Sequence, residues 1–403
     1  MKSSLFRSIL LALIPLSVQA HTFTLTDTTS NIERGNWQID STHLGIKSPV
    51  FRIEQTILHG GRQEGSKLLT ITSPSGLTIV LSPTRGMGLL RVTGDGVRLG
   101  WDSPVKEVVN PSMMTLDSQN GLGWLEGFNE MLVRCGYAWT GHPVTDKGIL
   151  YTLHGRAENT PASTVTVTVE DHAPYRITVR GLIKEETFKK SHLQTWTELS
   201  YVPGTRAFAI HDILTNTGDY PQDYQIIYHS NFGPPLLEKG AHVIAAVKEI
   251  SPFNRYAQKG LATWQSYPEP TSNFDEMVFN LVPYTDSLGK TEVALINKAG
   301  DRGVSIAFDT HQLPLLTLWK NTDTLHQGYV TGLEPGTNYA YPVTIERAQG
   351  RVRQIGVGKS LHFDLTYTLL NNATAVNQSQ ARIGAIQGHN PSTTQHAEPL
   401  ATE

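Results

Sequence analysis

The run Ser163-Thr164-Val165-Thr166-Val167-Thr168-Val169 alternates polar and apolar side chains. That period of two belongs to a strand with one buried face. His172-Ala173-Pro174 makes a turn, and residues 175–183 alternate again. Earlier, 67–72 and 77–81 flank Ser73-Pro74-Ser75-Gly76, which predicts a β-hairpin. Further strands are expected over 193–201, 207–216, 224–228, 242–249, 278–282, 292–297, 304–308, 315–320 and 362–369. Turn signals such as Pro203-Gly204 and Thr217-Gly218-Asp219 separate them. Helical periodicity is almost absent. Strands at this spacing argue an all-β chain with few short helices, built as a large β-sandwich.

Composition agrees. Charged residues make up 17% of the chain, with 35 Gly and 22 Pro, which suits a turn-rich β protein. The net charge is −3 with both signs mixed, and no basic stripe marks a nucleic-acid partner. Met1-Lys2-Ser3-Ser4-Leu5-Phe6-Arg7, an apolar run from Ile9 to Val18 and the close Val18-Gln19-Ala20 read as a signal peptide over residues 1–20. The run is short for a bilayer, and no second apolar segment reaches spanning length. An exported protein is therefore expected, periplasmic if the source is Gram-negative. Residues 21–53 read as an N-terminal arm and 54–370 as one domain. Residues 371–403 read as a polar, disordered tail. Residues 105–148 carry few alternating runs and many Trp, Phe and Met, the composition of a loop layer over a site. The single cysteine, Cys135, excludes both a disulfide within the chain and a multi-thiolate zinc site. It reads as a small buried hydrophobe. No histidine pair has metal-ligand spacing with a carboxylate partner, and no phosphate loop or nucleophile elbow appears. No metal and no cofactor is expected.

Four turn-like segments beside β runs carry polar groups: Thr84-Arg85-Gly86-Met87-Gly88, Leu153-His154-Gly155-Arg156, His229-Ser230-Asn231 and Glu334-Pro335-Gly336-Thr337-Asn338. His229 closes a strand-like run before Pro234-Pro235, and Glu334 sits in a turn-rich stretch. One His and one Glu can form a general acid/base pair. Trp101, Trp124 and Trp319 lie nearby in sequence. Flat aromatic faces with a few fixed polar groups suit a sugar ring, although Trp101 and Trp124 read more readily as core.

Taken together, these segments resemble the galactose mutarotase (aldose 1-epimerase) superfamily, and more closely its DUF4432 branch, over about residues 50–370. The resemblance rests on Arg85-Gly86-Met87-Gly88, Leu99-Gly100-Trp101, Gly123-Trp124-Leu125-Glu126-Gly127-Phe128, Arg134-Cys135-Gly136, Leu153-His154-Gly155-Arg156, His229-Ser230-Asn231-Phe232-Gly233 and Gly332-Leu333-Glu334-Pro335. It implies a β supersandwich with a cleft across one sheet and a small-molecule sugar or glycoside as partner. It implies a cofactor-free isomerase in which Glu334 is the base and His229 the acid. His154, Arg85, Arg156, Asn231, Trp319 and Lys320 would bind substrate, and Asp212 is a candidate for the substrate-binding aspartate. The sequence departs from the family at Arg156 after the glycine and in the segment from Trp124 to Cys135. Two arginines point to a second reading, a lyase or isomerase acting on an acidic sugar. A non-catalytic carbohydrate-binding protein is the third.

Overall fold

The structure is a computed structural model that describes residues 20–396. The expected signal peptide lies outside the described residues except for Ala20, and so does the end of the expected tail, 397–403. Among the described residues, strands form a ten-stranded sheet, a fourteen-stranded sheet and a two-stranded ribbon. Helices are few and short. The two large sheets pack face to face into a supersandwich. One apolar cluster takes Val165, Val167 and Val169 from the first sheet and Ile71, Leu81, Tyr228 and Phe279 from the second. Alternation explains this local pattern. In Thr164–Glu170 the valines are fully buried while the threonines between them stay half-exposed. The hairpin Lys67–Thr72 with Thr78–Ser82 pairs Leu69 with Leu81 and Ile71 with Ile79, which puts all four in the core.

Five expectations change. The 21–53 arm supplies outer strands to both sheets: Ala20–Asp27 pairs with Thr164–Glu170 and with the edge strand Ile32–Glu33, and Trp37–Asp40 pairs with Arg52–Ile57. The tail is not disordered where it is described. Ala373–Gln387 is a helix, N-capped by Asn372. Its Val376 and Ile383 pack on Ala294 and Ile296, and Glu292 holds both Ser379 and Arg382. Those two apolar residues are too few to stand out among the polar ones. The loop layer conceals a strand, Leu132–Tyr137, every residue of which is buried. Finally, Glu334 is not in a turn, because Val330–Gly336 is a strand. Likewise the strand Gln222–Phe232 runs through His229 instead of ending there.

Five neighbouring strands of the larger sheet position the site, in the order Met277–Pro283, Leu315–Asn321, Val330–Gly336, Gln222–Phe232, Leu132–Tyr137. Successive side chains point to opposite faces. Phe279, Leu318, Leu333, Tyr228 and Leu132 enter the sandwich core. Val133, Cys135 and Ile227 turn outward, where Trp124 and Phe128 from the loop layer, together with Trp101 and Leu153, cover them. On the inner side Arg134 meets Asp212 of the opposite sheet with two hydrogen bonds, of 2.5 and 3.0 Å. The Tyr228 hydroxyl donates to the same carboxylate at 2.8 Å.

Candidate active site

His229 shares its outward parity with Ile227. The ladder between its strand and Val330–Gly336 sets Ser230 opposite Leu333 and Asn231 opposite Gly332. That register places His229 opposite Glu334, and the next ladder sets Thr317 opposite Glu334 and Trp319 opposite Gly332. Cross-strand neighbours on one face lie within side-chain reach. His229 Nε2 and Glu334 Oε1 are 3.2 Å apart, with both residues almost fully buried. They wall a cavity of ≈ 140 Å³ that opens between the sheet and the loop layer. A cavity of that order accommodates one six-membered ring.

Rings surround the imidazole. Phe128 and Trp319 lie 5.4 Å from it and His154 5.6 Å, centroid to centroid. Trp124 stands 5.0 Å from His154. His154 reaches this place from a backbone with φ of 55°, anchored where its N–H donates to Gly141 O and its carbonyl accepts from Gly136 N. Gly155 follows at φ 75°, and a Cβ there would strike the carbonyls of Trp139 and Gly136. At the mouth, Glu276 accepts from Trp319 Nε1 at 2.8 Å and sits 3.6 Å from His142 Nε2.

Burial in this apolar box disfavours every charge. It holds the Glu334 carboxyl well above the usual range, and the nearby Glu276 charge adds to the effect. It pulls His229 down to about 4. His154 falls well below the ordinary imidazole value, first through burial and then through His229 and His142. Five polar atoms around the cavity have no hydrogen-bond partner in the protein: Glu334 Oε1, His229 Nδ1, His154 Nδ1, Trp124 Nε1 and Thr317 Oγ1. The His229–Glu334 approach is close but misaligned for a hydrogen bond.

The structure thus brings together Glu334, His229, His154 and Trp319. It places the other four expected site residues elsewhere. Arg85 is fully buried. It donates to Glu130 Oε1 at 2.9 Å, Asn159 Oδ1 at 2.7 Å and Gly127 O at 3.0 Å, and it also pairs with Glu158. It is a clamp between loops, and Gly127 leaves it room, since a Cβ there would lie 2.2 Å from Nη1. The Asn231 amide donates to the carbonyls of Glu130 at 3.0 Å and His229 at 3.4 Å, and its Oδ1, without a partner, lies outside the cavity lining. Lys320 turns away from the cavity and donates to the carbonyls of Ser266 at 2.6 Å and Trp264 at 3.1 Å. Burial lowers its pKa to about 8. Arg156 lines a different cleft. Asp212, the candidate aspartate, lies in the core on Arg134. Sequence reasoning passed over His142, Glu276 and Thr317, and marked Phe128 only as part of a motif. Thr317 was findable, because it has the parity of Trp319 in the same strand. His142 and Glu276 sit on loops and carried no signal.

A two-sheet supersandwich with an enclosed His–Glu cavity on its outer face defines a protein of the galactose mutarotase-like fold. The sequence matches the family described as a domain of unknown function, DUF4432, over residues 63–369, and the chain belongs to that family. It is similar to a crystal structure from Klebsiella pneumoniae provisionally named an aldose 1-epimerase. The two are 62% identical over 96% of this chain and 100% of that one, with a TM-score of 0.94. Two more distant structures share the fold. A galactose mutarotase-like protein from Clostridium acetobutylicum is 14% identical, over 83% of this chain and 99% of that one, with a TM-score of 0.53. The galactose 1-epimerase from Lactobacillus acidophilus is 9% identical, over 79% and 98%, with a TM-score of 0.52. No curated protein matches the sequence. Among the described residues no helix is long and apolar enough to cross a membrane.

Proposed function

We propose that the cavity binds one sugar ring and interconverts its anomers by general acid/base ring opening, without a cofactor. The observation that carries this reading is the His229–Glu334 pair, 3.2 Å apart in a ring-sized cavity. The anomeric hydroxyl and the ring oxygen of a pyranose share one carbon, so two groups this close reach both. The apolar walls of Trp124, Phe128 and Trp319 suit the C–H faces of the ring, and the unpartnered polar atoms suit its hydroxyls. The relatives named as epimerases support the same class.

The cycle needs one proton on the pair. Burial favours Glu334 protonated beside neutral His229. Sugar hydroxyls donating to the carboxylate favour the other arrangement, carboxylate and imidazolium. From there Glu334 takes the proton of the anomeric hydroxyl and His229 protonates the ring oxygen. The bond from C1 to the ring oxygen breaks as the C1 carbonyl forms. Rotation about C1–C2 and reversal of both transfers closes the ring as the other anomer, and each group regains its starting state. Positioned proton transfer contributes roughly 10²–10⁴-fold. A reaction on an acidic sugar would call for a cation at the ring, and Arg85, Arg156 and Lys320 do not line the cavity. The test is anomer exchange followed by NMR on neutral monosaccharides. Wild type should accelerate exchange, and Glu334→Gln and His229→Asn should each lower that acceleration by about 10²-fold or more. Unchanged exchange in both variants would remove the pair from the chemistry.

A further inference from the structure

The wall formed by residues 152–156 has a second side. Leu153 and His154 line the cavity, whereas Thr152 and Arg156 line a cleft behind it. Two lobes of ≈ 490 and ≈ 620 Å³ meet there along Trp139, Leu150 and Arg156. Each lobe is larger than the cavity and falls in the range of small-ligand sites. Trp139 and Tyr151 stand at right angles with centroids 5.5 Å apart. They offer two aromatic faces that meet in a corner. Trp139 is fixed in place, because its Nε1 donates to Thr152 O at 2.8 Å.

Arg156 is exposed, with its guanidinium 6.0 Å from the Trp139 ring centroid. Lys190 is exposed at the rim. The third cation, Arg347, already pairs with Asp146 at 3.1 Å. The floor holds a carboxyl that the anomerisation reading does not use. Glu185 is 5% exposed. Its Oε2 accepts from the N–H groups of Tyr137 at 2.7 Å and Ala138 at 3.2 Å. Its Oε1 has no partner. Burial raises the pKa of this carboxyl, against the Tyr137 and Ala138 N–H donors and the Arg156 charge, which lower it.

Stacking faces, a planar cation beside them and a fixed polar group on the floor match a sugar that carries a carboxylate. We infer that this cleft is a second saccharide site, specific for uronate-bearing sugars. Trp139 and Tyr151 stack on the ring, Arg156 and Lys190 hold the carboxylate, and Glu185 meets a hydroxyl. Guanidinium and carboxylate are geometrically matched for paired hydrogen bonds. The outer cleft also carries two carboxylates, Asp117 and Asp223, the latter accepting from Gln354 at 3.0 Å, whereas the inner cavity has Glu276 at its mouth and no arginine or lysine in its lining. An acidic sugar is therefore sorted to the outer cleft.

The test is calorimetric titration of the full chain with trigalacturonate and with its methyl ester, which keeps the rings and removes the charge. Wild type should bind the acid, and the ester should bind on the order of tenfold more weakly. Arg156→Gln, a change at an exposed position, should weaken acid binding on the order of tenfold. Trp139→Ala should weaken acid and ester alike. Glu334→Gln, in the inner cavity, should leave acid binding unchanged. Absence of acid binding by wild type, or equal affinity for acid and ester, overturns the inference. So does a loss in Glu334→Gln without one in Arg156→Gln, which would seat the sugar in the inner cavity.

Discussion

Burial favours a protonated Glu334 beside a neutral His229, and this has a consequence for stability that can be signed. In the unfolded chain a glutamate titrates around 4.5 and a histidine around 6.5. In the fold, Glu334 stays protonated well above that value and His229 protonates only at about 4. Between pH 6.5 and the raised pKa of Glu334 the folded pair carries one proton more than the unfolded one, so stability falls as pH rises, by up to about 1.4 kcal/mol per unit. Between the two ordinary values the proton counts match and the pair contributes no slope. Below 4.5 the unfolded chain carries the extra proton, so stability falls as pH falls. Glu334→Gln removes the alkaline limb. Its melting temperature relative to wild type should climb as pH rises above about 6.5, up to the raised pKa of Glu334. Parallel profiles would mean that Glu334 is ionised in the folded protein. The sequence pointed to these two residues and to His154 and Trp319, because each is a chemically distinctive side chain beside a β run. It misdirected Arg85, Asn231 and Lys320 for one reason. Which way a side chain points depends on strand parity and on what the loops bring near, and neither is written in a residue's own type.

At the level of elements, the strand Leu132–Tyr137 lies between two environments. Val133 and Cys135 face the cavity side, while Arg134 crosses to Asp212 in the other sheet. Burial works against the Arg134 charge, but the Asp212 carboxylate outweighs it and raises the arginine's pKa. Removing one partner leaves a buried charge alone, which costs about 3–5 kcal/mol. Asp212→Asn should lower urea-measured stability by that order, whereas a joint Arg134→Met, Asp212→Leu exchange should cost far less. Equal losses in both would assign the effect to packing instead of charge. This strand escaped the sequence reading because both its faces are buried, so it shows no alternation. Val330–Gly336 escaped because Gly332, Pro335 and Gly336 carry turn chemistry, yet its ladders to Gln222–Phe232 and Leu315–Asn321 hold it extended. The alternating strands with one half-exposed face, such as Thr164–Glu170 and His192–Tyr201, were legible almost to the residue.

Across the whole molecule, the C-terminal helix Ala373–Gln387 closes one end of the ten-stranded sheet. Burying Val376 and Ile383 is worth roughly 1.5–3 kcal/mol each, and Glu292 is left without Arg382 and Ser379 if the helix is absent. Truncation after Asn372 should lower thermal stability measurably and leave anomer exchange unchanged. A loss of exchange in a protein that remains folded would tie the helix to the cavity. The proton-carrying pair and the walls around it belong to different parts of the architecture. Glu334 and His229 are fixed by the register of two central strands whose other faces form the common core, so they cannot shift without disturbing the sandwich. Trp124, Phe128, His142 and His154 come from loops that can be lengthened, shortened or exchanged at little cost to that core. A lineage built on this plan can change its guest by rewriting the covering loops while inheriting the same His–Glu pair unchanged.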